Sequence, residues 1–472
     1  MGVINEAPLV SQDQLADVAD DRARACWGRD HRVELTVATG LLCFALALRL
    51  PAFIDPTAHV DDQFYRLVGA ELVRGAVLYA DIWDRKPPGI FILAAAISAV
   101  STATWFYYMV ATVFAAGTAQ VIALICRHWT GWQGSIFAAI VYLVALQTVA
   151  GGVGQSSVFY NLFTALGALS ILRRRYYWAM LTLGVSLSFK QTAAFECIAL
   201  GLYTAHKIGW RHIPSLVLCG LTPLIIACIP VLGHLSEAWQ AMFLSSLDRD
   251  LPNDATILGR SLDLFRRLIP LSATAFLGLY FSRHHFVAIW LAAALLGVIA
   301  VPQLYLHYAI PLLIPLCVAS ASFLNRRLEG LVSFVGIVGF ALMFFTPFDF
   351  AKHKARSEQF YEIANLIKRQ PGDDLLVYEG PVELYTATDR RYLSPLVFPT
   401  HLNFAAEQDV SHLTTTDEMR RILSQRPSIV ATTAEPLNDP PNRETREMLS
   451  AYLSKCVRLS DGLEVWRCQQ SD

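Results

Sequence analysis

The sequence predicts an α-helical integral membrane protein that ends in a small soluble α/β domain. Of its 472 residues, 54% are hydrophobic and 16% are charged, and the mean hydropathy is +0.41. Water-soluble domains of this length are usually less apolar. The character of the chain also changes near residue 351, where long apolar runs give way to amphipathic and alternating segments. Together these observations separate a membrane domain from a soluble one.

A polar tail, residues 1–33, precedes the apolar segments. It has no apolar core, which argues against a cleavable signal peptide and predicts a cytoplasmic N-terminus. About eleven transmembrane helices are predicted after it, each near the roughly 20 residues that cross the hydrocarbon of a bilayer. The predicted spans are 34–53, 105–126, 134–150, 157–172, 176–189, 191–206, 213–233, 264–281, 285–301, 308–324 and 329–347. The membrane domain is therefore expected over 34–350, with a first outer loop at 54–104.

A further apolar stretch, Ile90 to Ala103, is about 14 residues long and follows Pro87-Pro88, so its length fits either a span or an interfacial helix. If it lies at the interface, the arginine clusters at 173–175 and 326–327 share a side with the basic N-terminal tail, as the positive-inside rule expects. If it were a span, those clusters would face outward. We therefore expect an interfacial helix, and we expect the first loop and the domain after residue 351 to face outward together.

The last part of the chain, 351–472, has the pattern of a small α/β domain. Amphipathic spacing predicts helices at 357–369, 417–425 and 442–454, and short buried strands are predicted at 374–378 and 428–433. A final hairpin is predicted around Asp461-Gly462, a typical two-residue turn. Cys456 and Cys468 flank this hairpin and are a candidate disulfide.

Several classes of function are disfavoured by composition and motifs. The net charge is -1, and no basic cluster with interleaved aromatic residues suggests nucleic-acid binding. The sequence has no GxGxxG, P-loop or GxSxG motif, and no Cys/His spacing typical of zinc. We assign no metal ligands and no certain cofactor, although a role for a divalent metal stays open.

The first outer loop carries the chemistry. It contains His59-Val60-Asp61-Asp62-Gln63-Phe64-Tyr65 and, after Tyr79, Trp83-Asp84-Arg85-Lys86-Pro87-Pro88-Gly89. A carboxylate at a membrane surface can act as a general base, and a cationic side chain can stabilise a phosphate leaving group. Asp61 suits the first role, and Lys86 or Arg85 the second. The alternative is that Asp61 and Asp62 merely cap the helix that follows.

This loop resembles the first periplasmic loop of the membrane-embedded GT-C glycosyltransferases. The similar group comprises protein mannosyltransferases, aminoarabinose transferases and rhizobial lipopolysaccharide galacturonosyltransferases, in which an Asp-Glu pair opens the loop and Lys-Pro-Pro closes it. Here Asp62 stands in place of the Glu, which leaves the role of Asp61 intact and puts that of Asp62 in doubt. The resemblance implies a GT-C fold.

Two later segments extend the resemblance. Lys190, in Ser188-Phe189-Lys190-Gln191-Thr192, is similar to a lysine at the outer end of a span in these families, although a snorkelling lysine is an equal alternative. His307-Tyr308, followed by Pro311, is similar to a His-Tyr segment near the outer surface. For Tyr308, the alternative is an interfacial aromatic belt.

The resemblance implies transfer of a sugar from a polyprenyl-phosphate donor to an extracytoplasmic lipid, glycan or protein, within the cell envelope, for example in lipopolysaccharide. The protein would then lie in the inner or plasma membrane and contact membrane lipid, without a nucleic-acid partner. The implied catalytic residues are Asp61 and Asp62, the donor-phosphate residues are Lys86, Arg85 and Lys190, and the substrate-site candidates are Tyr65, Tyr79, Asp84, His307 and Tyr308. A multi-span transporter or flippase is the alternative, but no internal symmetry between halves supports it.

Overall fold

The computed structural model describes residues 32–343 and 348–468. Nearly all of the predicted N-terminal tail lies outside these residues. The membrane part of the described chain contains fourteen helices: α1 Arg32–Ile54, α2 Val60–Val73, α3 Pro88–Val100, α4 Thr104–Cys126, α5 Trp132–Thr148, α6 Ser156–Leu172, α7 Tyr176–Phe189, α8 Ala194–Ile208, α9 Ile213–Cys228, α10 Leu235–Trp239, α11 Asp254–Ser282, α12 His285–Ile299, α13 Leu313–Leu324 and α14 Arg327–Leu342.

Every predicted span overlaps one of these helices, with differences at the ends, and the last four residues of the predicted span 329–347 lie outside the described residues. Helix α11 begins ten residues earlier than the predicted 264 because the Asn253 side chain accepts a hydrogen bond of 2.8 Å from the backbone N–H of Thr256 and so caps a polar first turn. Helix α13 begins later than the predicted 308, since Leu306–Ala309 forms a short 3₁₀ helix before Pro311.

The number of membrane crossings stays a prediction. Four helical segments of the described chain are long and apolar enough to cross a membrane: Arg32–Ile54, Thr104–Cys126, Trp210–Leu244 and Asp254–Ser282. Several others are apolar but shorter, with 10 to 17 residues. The ends of successive helices nevertheless meet at one cavity, which is lined by the start of α6, the link between α7 and α8 and the link between α12 and α13. The start of α6, the end of α7 and the end of α12 thus lie on the same side of the bundle, which agrees with successive helices that cross the membrane in opposite directions.

The first loop folds into α2 and α3, which pack closely. A Cβ on Gly69 of α2 would lie 2.5 Å from the backbone of Ala94 in α3, and a Cβ on Gly89 would lie 2.5 Å from the backbone oxygen of Ser188 in α7. Any side chain at either position would force the backbones apart. The two glycines thus hold α3 against both α2 and the end of α7 and fix the loop over the helical bundle.

The C-terminal domain contains α15 Phe350–Lys368, α16 Glu383–Thr388, α17 Thr400–Asn403, α18 Thr415–Ser424 and α19 Arg443–Leu453, together with strands β1 Leu376–Val377, β2 Ile429–Thr433, β3 Val457–Arg458 and β4 Leu463–Arg467. The sheet order is β1-β2-β4-β3, with β1 and β2 parallel and the other neighbours antiparallel. The predicted helices and hairpin are present, whereas α16 and α17 lack a periodic pattern and were not predicted. Cys456 and Cys468 form a disulfide with their Cα atoms 4.3 Å apart.

The C-terminal domain docks on the first loop. Arg66 of α2 and Glu383 of α16 form a buried ion pair of 3.1 Å, and the backbone N–H of Trp83 donates to the carbonyl of Pro395 at 3.0 Å. At the rim, Arg74 pairs with Asp389 at 3.1 Å. The loop and the domain therefore lie at the same end of the bundle, as expected from the sequence. That this end faces outward remains a prediction.

Candidate functional site

A cavity of about 650 Å³ lies between the first loop, the ends of the membrane helices and the C-terminal domain. It brings together most of the residues singled out in the sequence. The predicted residues that line it are Asp61, Tyr65, Asp84, Arg85, Lys86, Lys190, His307 and Tyr308. These eight residues come from positions spread over almost 250 residues of the chain. Folding therefore brings them together, at the end of the helical bundle that carries the first loop.

Asp61 lies in the first turn of α2, but its carboxylate is not the helix cap. The cap is His59, whose Nδ1 accepts a hydrogen bond of 3.2 Å from the backbone N–H of Asp61. The Asp61 side chain faces the cavity instead, with Oδ2 at 3.8 Å from Nε2 of His307. The capping role considered for Asp61 therefore belongs to His59, and the carboxylate remains available for chemistry.

Asp62 has a different environment. It is fully buried, its Oδ1 accepts a 3.0 Å hydrogen bond from the N–H of Gln63, and it does not line the cavity. Adjacent residues on a helix point about 100° apart, so only one acid of the pair faces the site. The position of Asp62 supports a structural role at the start of α2, and we carry Asp61 alone forward as the candidate base.

Opposing effects act on the Asp61 carboxyl. Burial alone would raise the pKa of Asp61, but the positive charge of Lys86, followed by smaller effects from His307, His59 and Lys190, holds this pKa well below its usual range. Burial lowers the pKa of His307 to about 3, so its imidazole is neutral at neutral pH. Lys86 is therefore the charge on which ionised Asp61 chiefly depends, and the contact with His307 is one between an anion and a polar neutral ring.

Lys86 is held from three sides. Its Nζ lies 3.3 Å from both carboxylate oxygens of Asp84 and 5.2 Å from the centre of the Tyr65 ring. Its carbonyl accepts a 2.7 Å hydrogen bond from the hydroxyl of Tyr79, a residue with a φ of 72° that does not itself line the cavity. Tyr79 thus acts on the site through the backbone of Lys86, as a support rather than as a substrate contact.

Lys190 approaches the same space from the link between α7 and α8. Its Nζ lies 4.3 Å from the centre of the Tyr308 ring, in cation–π range. Burial, with the nearby charge of Lys86, lowers the pKa of Lys190 to about 7. The ammonium is thus partly deprotonated at neutral pH until an anion enters the cavity and favours its charged form.

Arg85 is less available than predicted. Its guanidinium pairs with Glu407 of the C-terminal domain, and the other carboxylate oxygen of Glu407 lies 2.7 Å from Arg249. Burial, with the like charge of Arg249, lowers the pKa of Arg85 to about 10. One carboxylate therefore holds two cavity arginines, and a ligand phosphate would compete with Glu407 for them.

Sequence reasoning missed part of this lining. The lining residues that were not predicted from the sequence include Gln155, Arg249, Tyr305, His401 and Glu407. Gln155 contacts His59 at 2.7 Å, and Tyr305 stacks on His307 with ring centres 5.8 Å apart. The basic charge of Arg249, on the side predicted to face outward, is the one available signal. No local pattern marked the others.

A metal site is not evident in the described part of the chain. Residues 32–343 and 348–468 hold no group of three or more His, Cys, Asp and Glu side chains placed to ligate an ion.

Comparison with known proteins found no matching family model and no matching curated protein, whereas solved structures do match. The crystal structure of ArnT from Cupriavidus metallidurans bound to undecaprenyl phosphate superimposes with a TM-score of 0.66 at 13% identity, over 93% of this chain and 98% of that chain. This chain has the ArnT fold. ArnT is an aminoarabinose transferase of the GT-C glycosyltransferases, so the GT-C fold predicted from the first loop is confirmed.

The apo structure of ArnT matches equally, with a TM-score of 0.66 at 12% identity and the same coverage. An apo oligosaccharyltransferase from Archaeoglobus fulgidus matches with a TM-score of 0.49 at 10% identity, over 85% of this chain and 69% of that chain. At these identities, the likeness to ArnT establishes the fold.

Proposed function

We propose that this protein is a membrane glycosyltransferase that moves a sugar from a polyprenyl-phosphate donor to an acceptor at the membrane surface. The observation that carries the proposal is the placement of the Asp61 carboxylate in one cavity with the ammonium groups of Lys86 and Lys190, within the ArnT fold. One group can accept a proton and the other two can hold a phosphate, which are the requirements of glycosyl transfer from a lipid phosphate.

The proposed reaction is a single displacement. The acceptor nucleophile attacks the anomeric carbon and its proton passes to Asp61, while the bond between that carbon and the phosphate oxygen breaks. The electron pair of the broken bond stays on the polyprenyl phosphate, whose developing charge Lys86 and Lys190 stabilise. Attack from the face opposite the leaving group would invert the anomeric configuration.

Donor binding would also tune the base. The charge of Lys86 keeps the pKa of Asp61 low, which makes this carboxylate a weak proton acceptor. A donor phosphate between the lysines would offset part of their positive charge and so raise the basicity of Asp61. The base would then become effective when the donor is in place, which favours transfer over idle proton exchange.

The ligand in the matching structure supports a lipid-phosphate donor. That ArnT structure is bound to undecaprenyl phosphate, a polyprenyl phosphate of the class that we propose as this protein's leaving group. Our proposed orientation has the N-terminus in the cytoplasm and places the cavity, the first loop and the C-terminal domain on the extracytoplasmic side of the inner or plasma membrane.

The test is product identification. Membranes containing the protein would receive a panel of polyprenyl-phosphate sugars, and product mass would be compared with membranes containing Asp61→Asn. We expect one donor to give a new mass, larger by one sugar residue, that depends on Asp61. Sugar movement across sealed vesicles without a covalent product would contradict the proposal and favour a transporter.

A further inference from the structure

A second cavity of about 400 Å³ lies next to the first, and His59 lines both. We propose that this second cavity binds the acceptor through an anionic group, a phosphate or a carboxylate. The identification of the ligand as the acceptor rests on the proposed function, whereas the anion site rests on the second cavity alone. Small-molecule sites commonly have volumes of about 300–1,000 Å³, so a sugar that carries one acidic group would fit.

Arg49 is the strongest evidence for an anion. It lies near the end of α1, lines the second cavity and is only 2% exposed. Its Nη2 donates to the carbonyl of Gly151, whereas its Nη1 is buried and has no hydrogen-bond partner within the described part of the chain. An unpaired buried guanidinium nitrogen is costly, and an anionic oxygen in the cavity would satisfy it.

The remaining charges favour the same ligand. Lys352 and His353 both line the cavity from α15. Lys352 is exposed and His353 is half-buried. The lining carboxylate of Asp349 already accepts the backbone N–H of Lys352 as the cap of α15. The buried carboxylate of Asp55 is paired with His353 at 2.9 Å and with Arg356 at 3.4 Å. Asp55 is therefore paired. Asp349 keeps its negative charge, but Arg49 and Lys352 together outnumber it, so the lining of the cavity carries a net positive charge.

The position of His59 connects this cavity to the reaction. Its Nδ1 accepts from the N–H of Asp61, and its ring lies 5.8 Å from that of His307, edge to face. His59 thus borders both the second cavity and the cavity that holds the candidate base. An acceptor held by its anionic group at Arg49 and Lys352 would extend its hydroxyl past His59 towards Asp61.

A labelling experiment tests the anion site and does not require the protein to transfer sugar. Ala58 lines the second cavity, so full-length Ala58→Cys in nanodiscs would be labelled with a small charged thiol reagent and corrected for labelling of the parent chain. The probes are glucose 6-phosphate, glucuronate and glucose in phosphatidylcholine nanodiscs, and phosphatidic acid nanodiscs without added sugar. We expect one anionic probe to slow labelling at least about fivefold while glucose has no effect.

The variants link protection to the two cations. Lys352→Ala, an exposed change, should abolish protection, and so should Arg49→Gln if that protein folds. Lys354→Ala is the matched control, because Lys354 is 70% exposed and pairs with Glu358 without lining the cavity. Protection by glucose 6-phosphate or glucuronate would identify a free acidic sugar as the ligand, and protection only by phosphatidic acid would identify a lipid headgroup. Equal labelling with every probe, protection by glucose, or full protection in Lys352→Ala would overturn the anion site.

A kinetic measurement then tests whether the ligand of the second cavity is the sugar acceptor. With the donor found by product identification, Lys352→Ala should raise the KM for the acceptor about tenfold and leave the KM for the donor unchanged. A rise in the donor KM alone would overturn the acceptor assignment. Anion protection in a protein that transfers no sugar would retain the anion site and reject the proposed function, so the two failures are distinguishable.

Discussion

Asp61 Oδ2 lies 3.8 Å from His307 Nε2, and both side chains are 17% exposed. This pairing joins the first loop to a segment almost 250 residues later and leaves the carboxylate open to the cavity. It is the local geometry on which the chemical predictions depend.

Replacing Asp61 with Asn should remove the base and retain the fold, because His59 rather than Asp61 caps α2. We expect sugar transfer to fall by roughly 10²–10⁴-fold, as is typical when a general base is lost, with donor binding retained. Transfer rate and donor binding would be measured on the same preparation. Asp81→Asn, an exposed change in the same loop, is the control and should transfer normally. Near-parental transfer by folded Asp61→Asn would remove Asp61 from the mechanism.

Lys190 should make donor binding depend on pH. Burial, with the nearby charge of Lys86, lowers its pKa to about 7, and a phosphodiester donor keeps its single charge across the neutral range. Donor affinity should therefore fall as the pH rises above about 7, because the ammonium loses its proton. Lys190→Arg should keep the affinity constant from pH 6 to 9, whereas Lys190→Met should be weak throughout. A parental pH profile in Lys190→Arg would assign the inflection to another group.

Lys86 should act on both binding and catalysis. A charge-assisted contact to phosphate exists in the ground state and strengthens as the leaving group forms, so Lys86→Ala should raise the donor KM and also lower kcat. Asp61→Asn should lower kcat alone. Steady-state kinetics with varied donor distinguish the two patterns, and identical defects would show that these residues do not divide the roles as proposed.

The Arg66–Glu383 pair should stabilise the docked C-terminal domain. Glu383→Ala leaves a buried arginine charge without its partner, which usually costs about 3–5 kcal/mol. We expect a lower thermal midpoint in detergent and faster proteolysis near residue 383. The double variant Arg66→Met with Glu383→Met should recover much of the loss, since it removes both charges. No difference between the single and double variants would argue against the pair.

The topology should be visible by labelling. Arg74 and Asp389 lie at the rim and are exposed, so single cysteines at both positions should react with an impermeant thiol reagent added to intact cells. A cysteine at Arg174, in an exposed turn at the other end of the bundle, should react only after permeabilisation. Labelling of position 174 alone in intact cells would invert the proposed orientation.

The sequence predicted elements whose signals are local. Apolar runs located the helices, a short buried segment located β2, and the Asp461-Gly462 turn located the final hairpin, because each pattern depends on neighbours along the chain. The distinction between Asp61 and Asp62 depends on how α2 is oriented about its own axis, which decides which of the two side chains faces the cavity. The pairing of Arg85 with Glu407, 322 residues later, depends on the docking of the C-terminal domain. Neither relationship leaves a local pattern, whereas Lys190 is marked both by a family resemblance and by the cost of a lysine within apolar sequence.

Glu407 has one further consequence. It belongs to the C-terminal domain, yet it holds Arg85 of the first loop and Arg249 of the membrane part in one network. A chimera that takes its C-terminal domain from a relative without an acid at this position would release two guanidinium groups into the cavity. Attempts to change substrate preference by exchanging domains must therefore transfer Arg85, Arg249 and Glu407 together, because the three form a single inheritable unit.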